Sequence, residues 1–374
     1  MTLQKTNFRI LRDAVKSPLQ INIDQPVWIF GAGNFGQCLS QVLTVNGIDV
    51  AGFVETKPRS ISVSNKPVFD WQMLARDFPE SQLVLGIFNR SIPFEVLIKI
   101  VNDAGFSNIL MPWDIYDTFA EQLGWRFWLS KRNELLSYLE KIEEVISKLA
   151  DQESRDTLFR ITAFRLGQDN KFSSIKSKDN QYFNEITLPL LRGRNINYID
   201  CGAYNGDTYI ELIRQHDIHC KISYLMEPDP ENFKNLVENV KKLKGEGKAI
   251  CLPMAASDKY SILNFSSGLG EGGTIREAGD IHIAAVALDE LLPNLKVDLI
   301  KLDVEGSEKK VLSGAVNIIK RSRPIIVISL YHNPQDVWDL PDYIFKITEN
   351  YEYFVRQHYF NSFDCVLYAI PKVR

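Results

Sequence analysis

The chain is poor in the residues that build cross-links and metal cages, holding five cysteines and five histidines in 374 residues. Cys38, Cys201, Cys220, Cys251 and Cys365 are odd in number and widely spaced, with no C-x-x-C pair. Neither a disulfide frame nor a zinc site is indicated, no metal is expected, and the reduced cytoplasm is the expected compartment. Long apolar runs are missing too: nothing approaches the roughly 18 residues of a membrane span. At the amino terminus Lys5, Arg9, Arg12, Asp13 and Lys16 interrupt any signal-peptide core. There is no basic excess, since the net charge is -4, so the chain has no field for counterion release and nucleic acid is not an expected partner. What is present is an apolar content of 45%, enough for real cores, in a chain too long for one domain of about 150 residues.

The pattern changes twice along the chain. Residues 24–112 alternate short apolar runs with helical spacing: strands at 26–30, 49–54, 82–87 and 107–111, and helices at 34–47, 71–78 and 93–104. Such alternation implies a small parallel sheet. Residues 113–194 read as helices, notably 131–149 and 151–166, followed by a polar, lysine-rich crossing at 167–178 that is expected to be mobile. Leu135, Leu139, Ile142 and Ile146 have heptad-like spacing, which over so few turns more often marks a helix packed on its own domain than a coiled coil. Strand and helix alternation returns from 195 to 374, with strands at 196–200, 221–226, 248–252, 297–302, 324–330, 351–355 and 364–370. The expected organisation is a small Rossmann-like domain (1–112), a helical connecting region (113–194) and a larger α/β domain (195–374).

Two glycine-rich turns follow strands, and their charges differ. Gly31, Gly33 and Gly36 match G-x-G-x-x-G, with Asn34 and Phe35 opening the helix and Glu55 ending the next strand. No carboxylate lies within this turn, so a nucleotide or nucleotide-sugar phosphate can approach the helix N-terminus. The alternative is that these glycines only permit tight strand-to-helix packing. The second turn, Gly202, Ala203, Tyr204 and Gly206, is acidic at both ends through Asp200 and Asp207. That charge counts against a pyrophosphate and suits a cation. S-adenosylmethionine fits, because its sulfonium and ammonium outweigh its one carboxylate. Glu227, before Pro228, stands at the next strand end, where an acid can take both ribose hydroxyls. Ser257 and Asp258 follow the third strand, Asp258 being a candidate acceptor for the adenine amino group or simply a solvated loop acid.

Residues 198–207, 227–233, 286–292 and 297–315 together resemble the FkbM-type S-adenosylmethionine-dependent methyltransferases, the last block, with Lys301, Asp303, Glu305 and Glu308, being the specific one. The resemblance implies a class I methyltransferase fold for residues 195–374: a seven-stranded sheet whose last strand is antiparallel. The stretches 323–332, 353–359 and 365–370 resemble a branch associated with bacterial polysaccharide genes. The amino-terminal region resembles small nucleotide-binding domains attached to sugar-modifying enzymes.

Lys301, Asp303 and Glu305 follow a buried-looking strand, and alternation would aim all three to one side. Groups so close shift one another's pKa, the setting for proton transfer, although an ion pair holding a loop is the competing explanation. Glu308 at the next helix start needs no function beyond its place near the helix dipole. His332 is the histidine that directly follows an apolar strand, and with Asp303 it is a candidate base. His216 and His219 read as surface residues, and His282 and His358 as uninformative. The run 266–273 reads as a lid or a linker. The expected activity is O-methyl transfer from S-adenosylmethionine to a hydroxyl of a sugar or sugar-containing precursor. Two competitors are a non-catalytic nucleotide-binding or regulatory protein, and a dinucleotide-dependent oxidoreductase resting on Gly31 to Glu55.

Overall fold

The computed structural model describes residues 8–12, 21–169, 171–214, 218–243, 248–266, 274–275 and 281–372. His216 and most of the run expected as a lid, 267–273, lie outside these residues. The chain divides into two units. One comprises Met1–Glu143, Thr157–Lys176 and Tyr359–Phe363; the other comprises Glu144–Asp156, Ser177–His358 and Asp364–Arg374. The helical stretch 113–194 is thus partitioned between the two.

In the first unit β1 (Val27–Phe30), β2 (Val50–Val54), β3 (Ser62–Val63), β4 (Lys66–Phe69), β5 (Gln82–Leu85) and β6 (Ile109–Leu110) form one sheet in the order β3-β4-β2-β1-β5-β6. All neighbours are parallel except β3 and β4. That hairpin was not expected from the sequence. It turns on Ser64 and Asn65, both at positive φ, as a two-residue hairpin loop requires. The helices Asn34–Val45, Trp71–Asp77 and Phe94–Asp103 lie where the periodicity puts them. The helix expected over 131–149 is broken at Tyr138 into Arg132–Ser137 and Leu139–Ser147. Leu135, Leu139, Ile142 and Ile146 are all buried. The stretch 167–178 departs from the mobile crossing expected of it: a 3₁₀ turn over Phe172–Ile175 buries Phe172, whose ring stacks on Phe164 with centroids 4.2 Å apart.

The second unit holds β7 (Arg194–Cys201), β8 (Ile218–Met226), β9 (Ala249–Leu252), β10 (Ala255–Ser257), β11 (Ser261–Ser266), β12 (Thr274–Ile275), β13 (Ile281–Ala287), β14 (Leu299–Leu302), β15 (Ile325–Ser329), β16 (Tyr351–Gln357) and β17 (Cys365–Pro371). Seven of them make one sheet in the order β16-β17-β15-β14-β7-β8-β9, and β17 is antiparallel to both its neighbours. β14 and β15 are buried residue by residue, as strands covered on both faces must be. Tyr198, Tyr209, Leu225, Leu299, Val327 and Tyr368 belong to the core beside this sheet. β10 to β13 form a separate four-stranded sheet that was not expected, with its own small core around Phe265, Ile283 and Ala285. What matters for a site is that β7, β8, β14 and β15 run parallel. Their carboxyl ends share one edge, where ligands bind in open α/β sheets.

Candidate active site

The chain leaves β7 at Cys201 through a turn with Gly202, Tyr204 and Gly206 all at positive φ. Glycine is required at 202. A Cβ there would lie 1.9 Å from the Asp303 carbonyl oxygen, so the strand-end turns of β7 and β14 cross in backbone contact. Asp200 is fully buried, and both its oxygens are engaged. Oδ1 accepts from Lys301 Nζ at 2.9 Å and Oδ2 from the Tyr198 hydroxyl at 2.8 Å. Lys301 also donates to the Gly202 carbonyl at 2.8 Å. Burial opposes the Lys301 ammonium, but Asp200 and Asp303 outweigh it and raise its pKa. Burial raises the Asp200 carboxyl, with Lys301 and Tyr198 pulling the other way. This pair ties two strands to the turn between them.

Glu227 at the end of β8 bridges the same turn to the next. Oε2 accepts from the Tyr204 amide at 2.8 Å and Oε1 from the Asp229 amide at 2.9 Å. Burial pushes the Glu227 carboxyl up to about 7, while those two amides pull it down. A carboxylate has about four lone-pair sites, so each oxygen retains capacity for one more donor. Asp207 opens the helix Asp207–Ile213 and is exposed. Ser257, buried in β10, donates to exposed Asp258 at 3.1 Å.

Beyond β14 the chain turns sharply. Glu305 and Gly306 both take positive φ, so strand alternation, which would have aimed Lys301, Asp303 and Glu305 together, does not extend past Leu302. Lys301 points back to Asp200, and its ammonium sits 5.2 Å from the Tyr182 ring centroid. Asp303 Oδ2 accepts from the Tyr182 hydroxyl at 2.9 Å. Asp303 Oδ1 lies 3.4 Å, and Glu305 Oε2 3.6 Å, from Nε2 of His332. His332 follows β15 and is fully buried; its Nδ1 lies 2.7 Å from Glu308 Oε1. Glu308 is not a plain dipole acid. Its helix is six residues long, and its buried carboxylate turns inward to accept also from the Val304 amide at 3.0 Å.

The electrostatics follow from this crowding. Burial opposes the His332 imidazolium, but Glu305, Glu308 and Asp303 outweigh it and push the ring's pKa well above 6.5. Burial alone would raise the Asp303 carboxyl, yet Lys301, His332, Ser329 and Tyr182 hold it below the carboxylate range. Glu305 is pushed by burial up to about 8, with His332 opposing. The arrangement favours an ionised Asp303 and a neutral Glu305 carboxyl beside a protonated imidazole. Among the described residues no group of three or more His, Cys, Asp and Glu is arranged to hold a metal ion. Tyr182 and Tyr198 were not read as site residues from the sequence, and Glu308 was read only as a helix-start acid. His358, which the sequence left unread, is buried with Nε2 2.6 Å from the Tyr368 hydroxyl.

In the first unit, Glu55 Oε1 accepts from the Ala32 amide at 3.2 Å, so this acid ties the glycine-rich turn to β2. A Cβ at Gly36 would lie 2.0 Å from the Gly31 carbonyl oxygen, whereas nothing comes within 4 Å of one at Gly33. Gly33 and Asn34 are exposed, and Phe35 packs on Phe88 with centroids 5.4 Å apart.

Comparison with known proteins agrees with the second unit's architecture. Residues 200–355 match the family model of the methyltransferase FkbM domain. The chain is similar to the hexuronic acid methyltransferase AglP of Haloferax volcanii, 31% identical over 124 residues, or 31% of this chain and 51% of that protein. It therefore spans about half the length of that relative. It is also similar to the crystal structure of methyltransferase FkbM from Methylobacillus flagellatus KT, with a TM-score of 0.78 and 19% identity over 98% of this chain and 99% of that one. At that identity the likeness speaks for the fold.

Proposed function

We propose that the protein, whose residues 200–355 match the family model of the methyltransferase FkbM domain, is an S-adenosylmethionine-dependent O-methyltransferase acting on a hydroxyl of a sugar or glycan precursor. The observation that carries this reading is the pairing of two sets of residues at one sheet edge. The turn Gly202–Asp207 with Glu227 forms one set; His332 with Asp303 and Glu305, whose carboxyl oxygens lie 3.4 and 3.6 Å from its Nε2, forms the other. Glu227 would hold the two ribose hydroxyls on its remaining lone pairs, and Asp207 the ammonium of the amino-acid end. When bound, the donor supplies an electrophilic methyl on a sulfonium.

The chain's part in the reaction is alignment and proton removal. Alignment of the acceptor oxygen for an in-line displacement carries much of the rate. A hydroxyl gains positive charge as it is methylated, so even a carboxylate of depressed pKa is a competent proton acceptor late in the transition state. Asp303 Oδ1 is that acceptor in our reading. His332, whose protonated form its acidic neighbours Glu305, Glu308 and Asp303 favour, fixes its position and balances its charge. A sugar acceptor, a role in bacterial polysaccharide synthesis and a cytoplasmic location rest on the sequence resemblance; the relative's action on a hexuronic acid supports the first.

The test is donor calorimetry followed by mass spectrometry of products from a panel of nucleotide sugars. Asp303→Asn should lower turnover by about 10²- to 10⁴-fold with the donor's Kd little changed. If Asp303→Asn and His332→Ala both turn over normally, alignment alone explains the catalysis.

A second site is proposed at the first glycine-rich turn, for a nucleotide or nucleotide sugar. It is favoured by Gly33, the one glycine of that motif whose missing side chain no packing contact explains.

A further inference from the structure

Tyr182 precedes the matched domain, in a segment that nothing in the family match describes. It is nevertheless built into the site with unusual care. Asn180 Oδ1 accepts from the amides of both Tyr182 and Phe183 at 2.9 Å, and the Thr187 hydroxyl donates to the Tyr182 carbonyl at 2.8 Å. Buried Asn184 in turn donates to the Asn180 carbonyl and to the Tyr368 hydroxyl, both at 3.0 Å, while Phe183 is anchored in the core beside the large sheet. Backbone on both sides of Tyr182 is therefore fixed. The hydroxyl accepts from Gln181 Nε2 at 3.1 Å and donates its own proton to Asp303 Oδ2 at 2.9 Å, while the ring lies under the Lys301 ammonium.

Resting on the reading of Asp303 as proton acceptor, we propose that Tyr182 is a positioning residue: by holding Oδ2 it fixes which carboxylate oxygen, Oδ1, meets the acceptor hydroxyl. A carboxylate free to rotate would present either oxygen at random angles and lose alignment. A donated hydrogen bond also favours the charged form of a carboxyl. The other groups that bear on Asp303 are Lys301 on β14, Ser329 at the end of β15, Tyr331, His332 and Glu305; Asp364 bears on Tyr182 and Glu305. Of these, Tyr182 is the hydroxyl donor from outside the parallel strands and their own loops.

The experiment is Tyr182→Phe, which keeps the ring under Lys301 and removes only the hydroxyl, studied in the whole chain. With Asp side chains labelled at the carboxyl carbon, and Asp303→Asn used to assign the signal, the Asp303 titration midpoint should rise by about one unit or more in Tyr182→Phe. In steady-state assays kcat should fall by about tenfold or more, with its acid limb moved to higher pH and KM for the donor unchanged. An unmoved midpoint in folded Tyr182→Phe overturns the proposal. So does an Asp303→Asn variant that loses activity beside a Tyr182→Phe variant that keeps both its rate and its acid limb. If Asp303→Asn is itself fully active, the failure lies with the proton-acceptor reading instead, and the titration midpoint still decides whether Tyr182 holds the carboxyl.

Discussion

The two glycine-rich turns follow the same backbone plan and differ in their charges. In the first, a Cβ at Gly36 would collide with the Gly31 carbonyl; in the second, a Cβ at Gly202 would collide with the Asp303 carbonyl. Each has an acid from the neighbouring strand end holding a turn amide: Glu55 on Ala32 in one, Glu227 on Tyr204 in the other. Only the second adds a buried ion pair beneath the turn, Asp200 with Lys301, and a carboxylate and imidazole cluster beside it. The comparison teaches that glycine spacing reports how closely backbone crosses backbone. The chemistry is reported by which acids stand around the turn.

The sharpest way to test the shared plan is Gly202→Ala. The residue sits at φ 83° with the Asp303 carbonyl where its Cβ would go. Left-handed backbone costs a non-glycine residue about 1–2 kcal/mol, and overpacking adds about 1–3 kcal/mol. The denaturant midpoint of the transition that reports the second unit should fall by an amount equivalent to about 3 kcal/mol. A fall under about 1 kcal/mol would mean that the crossing of the two turns is looser than the structure has it.

The next effect tests what differs. Glu227→Ala should raise the Kd for S-adenosylmethionine at least tenfold, since losing a charge-assisted acceptor costs about 1.5–3 kcal/mol. Because the free carboxyl is pushed up to about 7, the sign of its pH dependence is set. Between an unfolded value near 4.5 and 7 the native state holds the extra proton, so this group lowers stability as pH rises through that window. Donor binding should do the opposite, weakening as pH falls below about 7 and an acceptor is lost. Calorimetry at pH 6 and 8 checks this, with Glu227→Gln expected to flatten the dependence. A pH-independent Kd in the unmodified protein would remove Glu227 from the ribose.

How much of this the sequence shows depends on the range of the interaction. The central strands of the large sheet are legible because burial on both faces demands apolar runs, such as 325–329. β10 to β13 are not: β10 and β12 are only three and two residues long, and β13 alternates buried with part-buried positions instead of forming a fully buried run. The acids after β7, β8 and β14 are legible as a set, but their pairing is not. That Lys301 meets Asp200 follows from the strand register that puts the two residues opposite each other. Glu308 was legible as a helix-start acid, yet its inward turn to His332 depends on where β15 ends. Tyr182 carries no local signal at all, since its partner Asp303 is supplied by the turn after β14, far along the chain.

The smallest expected effect on folding is the most informative about the first turn. Gly33 has φ -72° and ψ -175°, extended backbone that any residue adopts, and open space where a Cβ would stand. Gly33→Val should therefore cost no more than about 1 kcal/mol, the difference between a tolerated and a poor helix cap. Gly36→Ala, one residue type larger in a filled space, should cost more. If a nucleotide or nucleotide sugar binds this turn, the valine blocks the approach to the amides of the helix Asn34–Val45 and abolishes binding without unfolding the unit. Titrating the whole chain with a panel of such ligands, wild type beside Gly33→Val, separates the possibilities. Binding lost only in the variant makes the turn a site, while binding absent from both, or equal in both, leaves Gly33 as a helix cap and the first unit as a scaffold.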